Sequence, residues 1–222
     1  MRAHCLVVAK APVPGLAKTR LGERVGMEAA AGIAAAALLA TLDVCAEVVP
    51  PGQRHLALAG SLARAARSRE IDVALAGWIV SDQVGDAFGE RLARAHAEVA
   101  RRADGPVVQI GMDTPQVTGD LLLGAARGLD DHDAVLGPAE DGGWWVLGLR
   151  DPTDAVVLAD VPMSTPGTGA QTRRALVDRG LRVGTTRTLR DVDEAADADA
   201  VAGFAPRTRF SAAWSAAAGV RR

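Results

Sequence analysis

Lysine is nearly absent from this chain of 222 residues: Lys10 and Lys18 stand alone among 25 basic side chains, the rest being arginine. Both lie in one short segment after the first apolar run, where a general bias toward arginine has been escaped twice. Cysteine is scarce as well. Cys5 and Cys45 are too few for a disulfide framework and form no CxxC or zinc spacing, so they read as buried small hydrophobes in a cytoplasmic protein. The formal charge of -2 supplies no global attraction to nucleic acid or anionic membranes, so any anion site must be local. Long apolar runs are missing too: Cys5 to Ala9 is too short for a signal-peptide core and runs into Lys10. No stretch is expected to approach the ~20 residues of a membrane span. These absences predict a soluble chain with neither nucleic-acid partners nor membrane insertion.

With 49% hydrophobic and 23% charged residues, the chain can bury a sizeable core. No repeat or low-complexity linker divides it, so one domain is expected over residues 1–203, followed by a tail over 204–222 with a short Ala-rich helix. The apolar content permits a homodimer. Buried strands are predicted at His4 to Ala9, His55 to Ala59 and Pro106 to Ile110, with shorter ones at Trp78 to Val80, Ala134 to Leu136, Trp144 to Leu149 and Leu181 to Thr186. Helices are predicted from Met27 to about Ala46, Ser61 to Glu70, Asp86 to Arg102, Thr118 to Arg127 and Gln171 to Arg179, the last closed by Gly180. Such alternation predicts an α/β protein with a mostly parallel sheet covered on both faces. Ligands of such sheets gather outside the carboxyl ends of the strands.

The loop after the first strand holds Lys10, Gly15, Lys18, Thr19 and Arg20, stiffened by Pro12 and Pro14. Three cations beside the amides of a helix start can neutralise a di- or triphosphate; a solvated basic loop is the bland alternative. A Walker P-loop fails, because Ala17 and Pro12 stand where backbone approach to phosphate needs glycine. Asp113, just past the strand ending at Ile110, is either a turn former or a hard oxygen ligand for Mg2+ or Mn2+. In an extended Asp191-Val192-Asp193 the two carboxylates share a face and need a cation between them, although Asp193 also suits a helix cap. Gly137 to Trp145 brings Glu140 and Asp141 to a glycine turn beside Trp144 and Trp145. There a carboxylate can act as base or orient an acceptor hydroxyl, or the stretch is only a tight hairpin with one tryptophan in the core. His4, His55, His96 and His132 show no metal-ligand spacing, and Ser164 lacks the flanking glycines of a hydrolase elbow.

Six motifs, in order AKAPVPGLAKTRL, QVGDAFGERLARA, IGMDTPQVTGDLL, GPAEDGGWWVLGL, VPMSTPGTGAQTRRAL and LRDVDEAAD, resemble those of a family of small bacterial GT-A-type glycosyltransferase-like proteins, some linked to arsenosugar biosynthesis. The resemblance runs from about Cys5 to Phe204. It implies a nucleotide-diphospho-sugar transferase fold, a Rossmann-like three-layer α/β/α sandwich. It also implies that Lys10, Lys18 and Arg20 bind nucleotide phosphates, that Asp113 and Asp193 are acidic groups at a metal, and that Glu140 and Asp141 face the acceptor. Lys18 to Leu21 and Asp191 to Asp193 are similar, more distantly, to motifs of phospholactate and molybdenum-cofactor guanylyltransferases, which transfer a nucleotidyl group. Gln116 stands where the family commonly carries a second aspartate. The expected activity is therefore a metal-dependent transferase, glycosyl from a nucleotide-sugar to a small acceptor or nucleotidyl from a triphosphate to a phosphorylated metabolite. A nucleotide-binding protein without catalysis is the third reading.

Overall fold

The first apolar run, His4–Lys10, forms β1, buried until its last residue, as expected of a strand covered on both faces. The computed structural model describes residues 3–219; the ends of the expected domain and tail, residues 1–2 and 220–222, lie outside the described residues. After β1 come α1 (Thr19–Val25), α2 (Met27–Val48), β2 (Arg54–Ala59), α3 (Ser68–Ala74), β3 (Ile79–Asp82), α4 (Phe88–Arg102) and β4 (Val107–Gly111). The chain continues through α5 (Gly119–Asp131), β5 (Ala134–Pro138), β6 (Trp144–Leu149), α6 (Thr168–Asp178), β7 (Val183–Thr185), α7 (Ala195–Phe204) and α8 (Arg209–Gly219). Seven strands make one sheet in the order β3-β2-β1-β4-β6-β5-β7. All neighbours run parallel except β6, which is antiparallel to both β4 and β5.

The alternation along β1 sends side chains to two cores. Cys5 and Val7 join Leu56, Ile110, Leu38, Ile71 and Leu122 under α2, α3 and α5. Leu6 and Val8 join Leu147, Leu92, Leu158 and Leu176 under α4, the 3-10 segment Pro152–Asp160 and α6. A third cluster lies beyond the sheet, where Leu21, Ile33, Val192, Val201, Phe210 and Trp214 tie α1, α2, α7 and α8 together. The Ala-rich helix expected in the tail is thus docked, and the Arg209 Nε pairs with Asp43 Oδ2 on α2 at 2.7 Å.

Several sequence expectations need correction. Met27–Val48 is apolar and long enough to cross a membrane, contrary to the expectation that no stretch reaches that length, although two thirds of its most apolar window is buried inside the protein. The helix expected over Ser61 to Glu70 is broken. Ser61 Oγ accepts from the Ala63 N–H at 3.2 Å to cap a single 3-10 turn, and Arg67, at φ 55°, forces a new start for α3. The helix expected from Asp86 begins at Phe88, because the Asp86 N–H is bonded by the Glu90 carboxylate at 3.0 Å beside Gly85 at φ 136°.

Candidate functional site

The carboxyl ends of β1, β2 and β4, the segment after β3 and the turn between β5 and β6 open into one cleft of about 1080 Å3. Its first wall is the loop after β1. Hydrogen bonds from the Ala11 N–H to the Ala59 carbonyl (2.8 Å) and from the Ala66 N–H to the Pro12 carbonyl (2.9 Å) brace this loop against the β2 side. Gly15 makes the turn at φ 74° and is exposed, outside the lining, whereas Lys10, Lys18, Thr19 and Arg20 line the cleft.

Lys18 carries the geometry. It precedes the first turn of α1 at φ 49°, ψ 46°, a left-handed conformation that costs a non-glycine residue ~1 kcal/mol. Its side chain compensates: Nζ donates to the Val192 carbonyl and pairs with Asp113 Oδ1 at 2.6 Å and Asp193 Oδ1 at 3.0 Å. Three ammonium protons meet three oxygens. Burial is the largest influence on this group and acts to lower its pKa, but the two carboxylates outweigh it and the net direction is upward. Asp113 and Asp193, 80 positions apart in the chain, therefore converge on one point, each about half-exposed.

The backbone explains the convergence. The Val192 N–H donates to the Asp113 carbonyl at 2.8 Å, and the Gln116 side-chain amide donates to the Arg190 carbonyl while its own Oε1 is buried without a partner. Gln116 thus braces the 190–192 segment and is not a lining residue. The capping role considered for Asp193 belongs to its neighbour. Glu194 is the N-cap of α7 in a reciprocal box with Asp197, whose Oδ2 accepts from the Glu194 N–H at 3.0 Å, and Asp193 is left to face Lys18. Asp191 lines the same cleft, its carboxyl pushed up to about 6 by burial first and then by repulsion from Asp141 and Asp193.

The turn from Gly137 to Gly143 is both a hairpin and a wall of the cleft. Asp141 Oδ1 accepts from the Gly143 N–H at 2.7 Å, and Glu140 Oε2 accepts from the Arg190 Nε at 2.7 Å. A side chain on Gly142, at φ 90°, would run into the Pro166 carbonyl, so this position keeps the turn clamped to the loop before α6. Trp145 is core, its indole N–H bonded to the Arg187 carbonyl at 2.8 Å. Trp144 is half-buried at the cleft with its N–H on Thr172 Oγ1. The opposite flank, from α4 and the loop before α6, brings Phe88, Arg91, Leu92, Met163 and Ser164. No catalytic or ligand-type pattern flagged Arg91, Gln83 or Arg190; the first two lie in a motif noted only for its resemblance. None of the four histidines lines the cleft, so Ser164 has no histidine partner there.

Two carboxylates sharing one cation are hard oxygen donors of the type Mg2+ or Mn2+ takes together with ligand phosphates. Among the described residues no group of three or more His, Cys, Asp or Glu side chains could hold a metal by itself. Asp113 and Asp193 are oxygen donors of that type, both paired here with Lys18 Nζ, and a divalent cation beside them would need further oxygens from a bound ligand.

A mostly parallel α/β sheet with this cleft at its strand ends is Rossmann-like, and its likeness to a solved structure gives the fold as the nucleotide-diphospho-sugar transferase type. A crystal structure of a protein from Desulfovibrio desulfuricans G20, assigned as a nucleotide-diphospho-sugar transferase, superposes with a TM-score of 0.82 over 96% of this chain and 94% of its own, at 24% identity. CMP:2-keto-3-deoxy-manno-octonic acid synthetase complexed with CTP matches at 0.56, with 13% identity over 93% of this chain and 99% of its own. The manganese complex of Rv0371c from Mycobacterium tuberculosis H37Rv matches at 0.50, with 23% identity over 90% and 98%. At these identities the likeness establishes the fold. By sequence, residues 41–165 match the family DUF2064, described as "Uncharacterized protein conserved in bacteria", and the chain belongs to that family. No curated protein matches it.

Proposed function

We propose that this chain is a metal-dependent transferase that binds a nucleotide at the loop after β1 and moves a glycosyl group from a nucleotide-diphospho-sugar to a small acceptor. The observation that carries the reading is the meeting of Lys18 with Asp113 and Asp193 at 2.6 and 3.0 Å, at the strand ends of an α/β sheet. Lys10, Lys18, Thr19 and Arg20 would hold the phosphates, with Gly15 shaping the turn. Phosphate entering beside Lys18 competes with the two carboxylates for its protons, and Asp113 and Asp193 are then the groups that would hold Mg2+ or Mn2+. Such an ion, when bound, supplies charge neutralisation for a departing diphosphate.

In glycosyl transfer the acceptor oxygen forms a bond to the sugar's anomeric carbon as the bond from that carbon to diphosphate breaks, its electron pair leaving with the diphosphate. Lys18 and Arg20 would stabilise the charge that gathers there. Glu140 or Asp141 would orient the acceptor hydroxyl and take its proton. The second reading, nucleotidyl transfer with pyrophosphate leaving, is favoured by the fold shared with the CTP-complexed synthetase and uses the same cations.

Incubation with a panel of nucleotide-sugars and nucleoside triphosphates in Mn2+, following diphosphate or pyrophosphate release, separates the two. Nucleoside diphosphate release supports glycosyl transfer; pyrophosphate alone rejects it. Asp113→Ala is expected to abolish turnover while the protein stays folded at the assay temperature, and full turnover in that variant would remove its role as a metal ligand. Nucleotide affinity with no turnover of any donor would leave the third reading, binding without catalysis.

A further inference from the structure

Arg91 is the exception among the arginines of the cleft. Arg20 lies 4.0 Å from Asp193 and Arg190 pairs with Glu140 at 2.6 Å, but among the described residues no carboxylate comes within ion-pair distance of Arg91. Its guanidinium reaches two carbonyls at the limit of hydrogen bonding, Gly85 at 3.5 Å and Asp86 at 3.3 Å, and its Nε is buried with no partner. A buried charged donor without an acceptor is costly, and a fold retains one most readily where a ligand supplies the acceptor. The guanidinium lies 5.5 Å from the centre of the Phe88 ring, which holds it at the cleft. Phe88 itself is 40% exposed, a large aromatic left open on the cleft, and Leu92, Trp144 and Met163 line the same flank.

Carboxylates of the cleft are already engaged with other cations: Asp113 and Asp193 pair with Lys18, and Glu140 pairs with Arg190. Arg91 stands across the sheet from α1, on α4, whose Leu92 belongs to the opposite core. Arg91 and Lys18 thus reach the one cleft from opposite sides of the sheet. The first turn of α6 does not provide the site, because the Thr168 N–H is taken by the Thr165 carbonyl at 3.0 Å and the Gly169 N–H by the Gly142 carbonyl at 2.8 Å.

We infer that Arg91, framed by Phe88, Leu92, Trp144 and Met163, is a subsite for an organic oxyanion, the carboxylate or phosphate of an acceptor whose body is apolar or planar. It rests on the transferase reading only in naming that oxyanion an acceptor. The guanidinium presents a planar fork that matches either group, and the wall beside it takes the carbon skeleton.

Calorimetric titration with phenyl phosphate, benzoate and the neutral benzyl alcohol tests the inference, and the first two distinguish a phosphate from a carboxylate. At least one anion is expected to bind the wild type while benzyl alcohol does not. Arg91→Gln is expected to weaken that anion about tenfold or more, the scale of a lost charge-assisted pair, and Arg91→Lys to weaken it less. Phe88→Leu, which keeps the cation and removes the ring, is expected to weaken it severalfold and guards against a folding defect in the arginine variants. Binding of neither anion, equal binding to Arg91→Gln, or loss in Lys18→Ala but not in Arg91→Gln would overturn it. CTP and UDP-glucose titrated into the same proteins keep the readings apart. Their failure to bind wild type refutes the nucleotide site and leaves the anion result standing, whereas an equal loss of nucleotide and anion in Arg91→Gln assigns Arg91 to the donor and ends the acceptor subsite.

Discussion

Lys18 shows why one residue type cannot be exchanged for another of the same charge. An ammonium offers three protons in a tetrahedral arrangement, and the Val192 carbonyl, Asp113 and Asp193 supply three oxygens around it. A guanidinium is planar and longer, so arginine, which this chain uses nearly everywhere else, cannot fill the same point. Lys18→Ala is expected to weaken CTP or UDP-glucose binding about tenfold or more by calorimetry, and Lys18→Arg not to restore it. Equal affinity in Lys18→Ala would remove the phosphate-loop assignment. Asp191 makes the opposite case, a carboxylate the fold disfavours. Its pKa is raised to about 6, so the folded protein holds a proton there that the unfolded chain has already released. The strain is present above pH 6 and is relieved as pH falls through that value toward the ordinary carboxylate range. Asp191→Asn is therefore expected to raise stability at pH 7–8 by about 1 kcal/mol, after allowance for solvent screening of a half-exposed group. The gain should vanish near pH 4; urea midpoints across that range that differ by a constant would contradict it.

At the scale of elements, the pairing of α4 with β4 carries a pH dependence of the other sign. His96 on α4 is fully buried and its Nε2 donates to Gln109 Oε1 on β4 at 2.8 Å. Burial depresses its pKa to about 4, the hydrogen bond to Gln109 opposing only in part. The unfolded histidine takes up a proton near its ordinary value, the folded one does not, so the contribution is full above that value and lost as pH falls toward 4. The loss is about 3 kcal/mol, and His96→Gln is expected to flatten the fall in urea midpoint between pH 6.5 and 4 relative to wild type. Parallel slopes in the two proteins would refute it. The elements themselves were largely legible, because β1, β2 and β4 are apolar runs with abrupt polar ends and Thr118, whose Oγ1 accepts from the Leu121 N–H, is a visible cap. What was not legible was order and direction. The turn after β5 offered the antiparallel hairpin of β5 and β6, but nothing in Trp144–Leu149 says that it inserts beside β4, since that depends on pairing with residues distant in sequence. The broken helix after Ser61 was hidden for a related reason: the left-handed Arg67 carries no glycine to announce it.

At the scale of the molecule, the chemistry-bearing residues were readable as types and the contacts between them were not. Lys18 and Asp113 could be named from loops at strand ends and Asp193 from its paired carboxylate and the family resemblance, whereas the partnership of Glu140 with Arg190 and the bracing role of Gln116 depend on where the 190–192 segment lies. That segment is anchored by Val192, which sits in the same cluster as Leu21 of α1 and Phe210 and Trp214 of α8. Both sides of the Lys18 junction are therefore seated on a core that the last helix completes. Trp214 is 4% exposed and its indole N–H donates to Asp199 Oδ1 at 2.8 Å, joining α8 to α7. Trp214→Ala is expected to cost about 3 kcal/mol of stability through the cavity it opens and the acceptor it leaves unpaired. If the cluster positions the cleft, the same variant, measured at a temperature where it is fully folded, should also bind CTP or UDP-glucose severalfold more weakly, although Trp214 lines no part of the cleft. A variant that melts early yet binds nucleotide as tightly as wild type would show that α8 supports only the fold, and that Lys18 and its two carboxylates are held by β1, β4 and their loops alone.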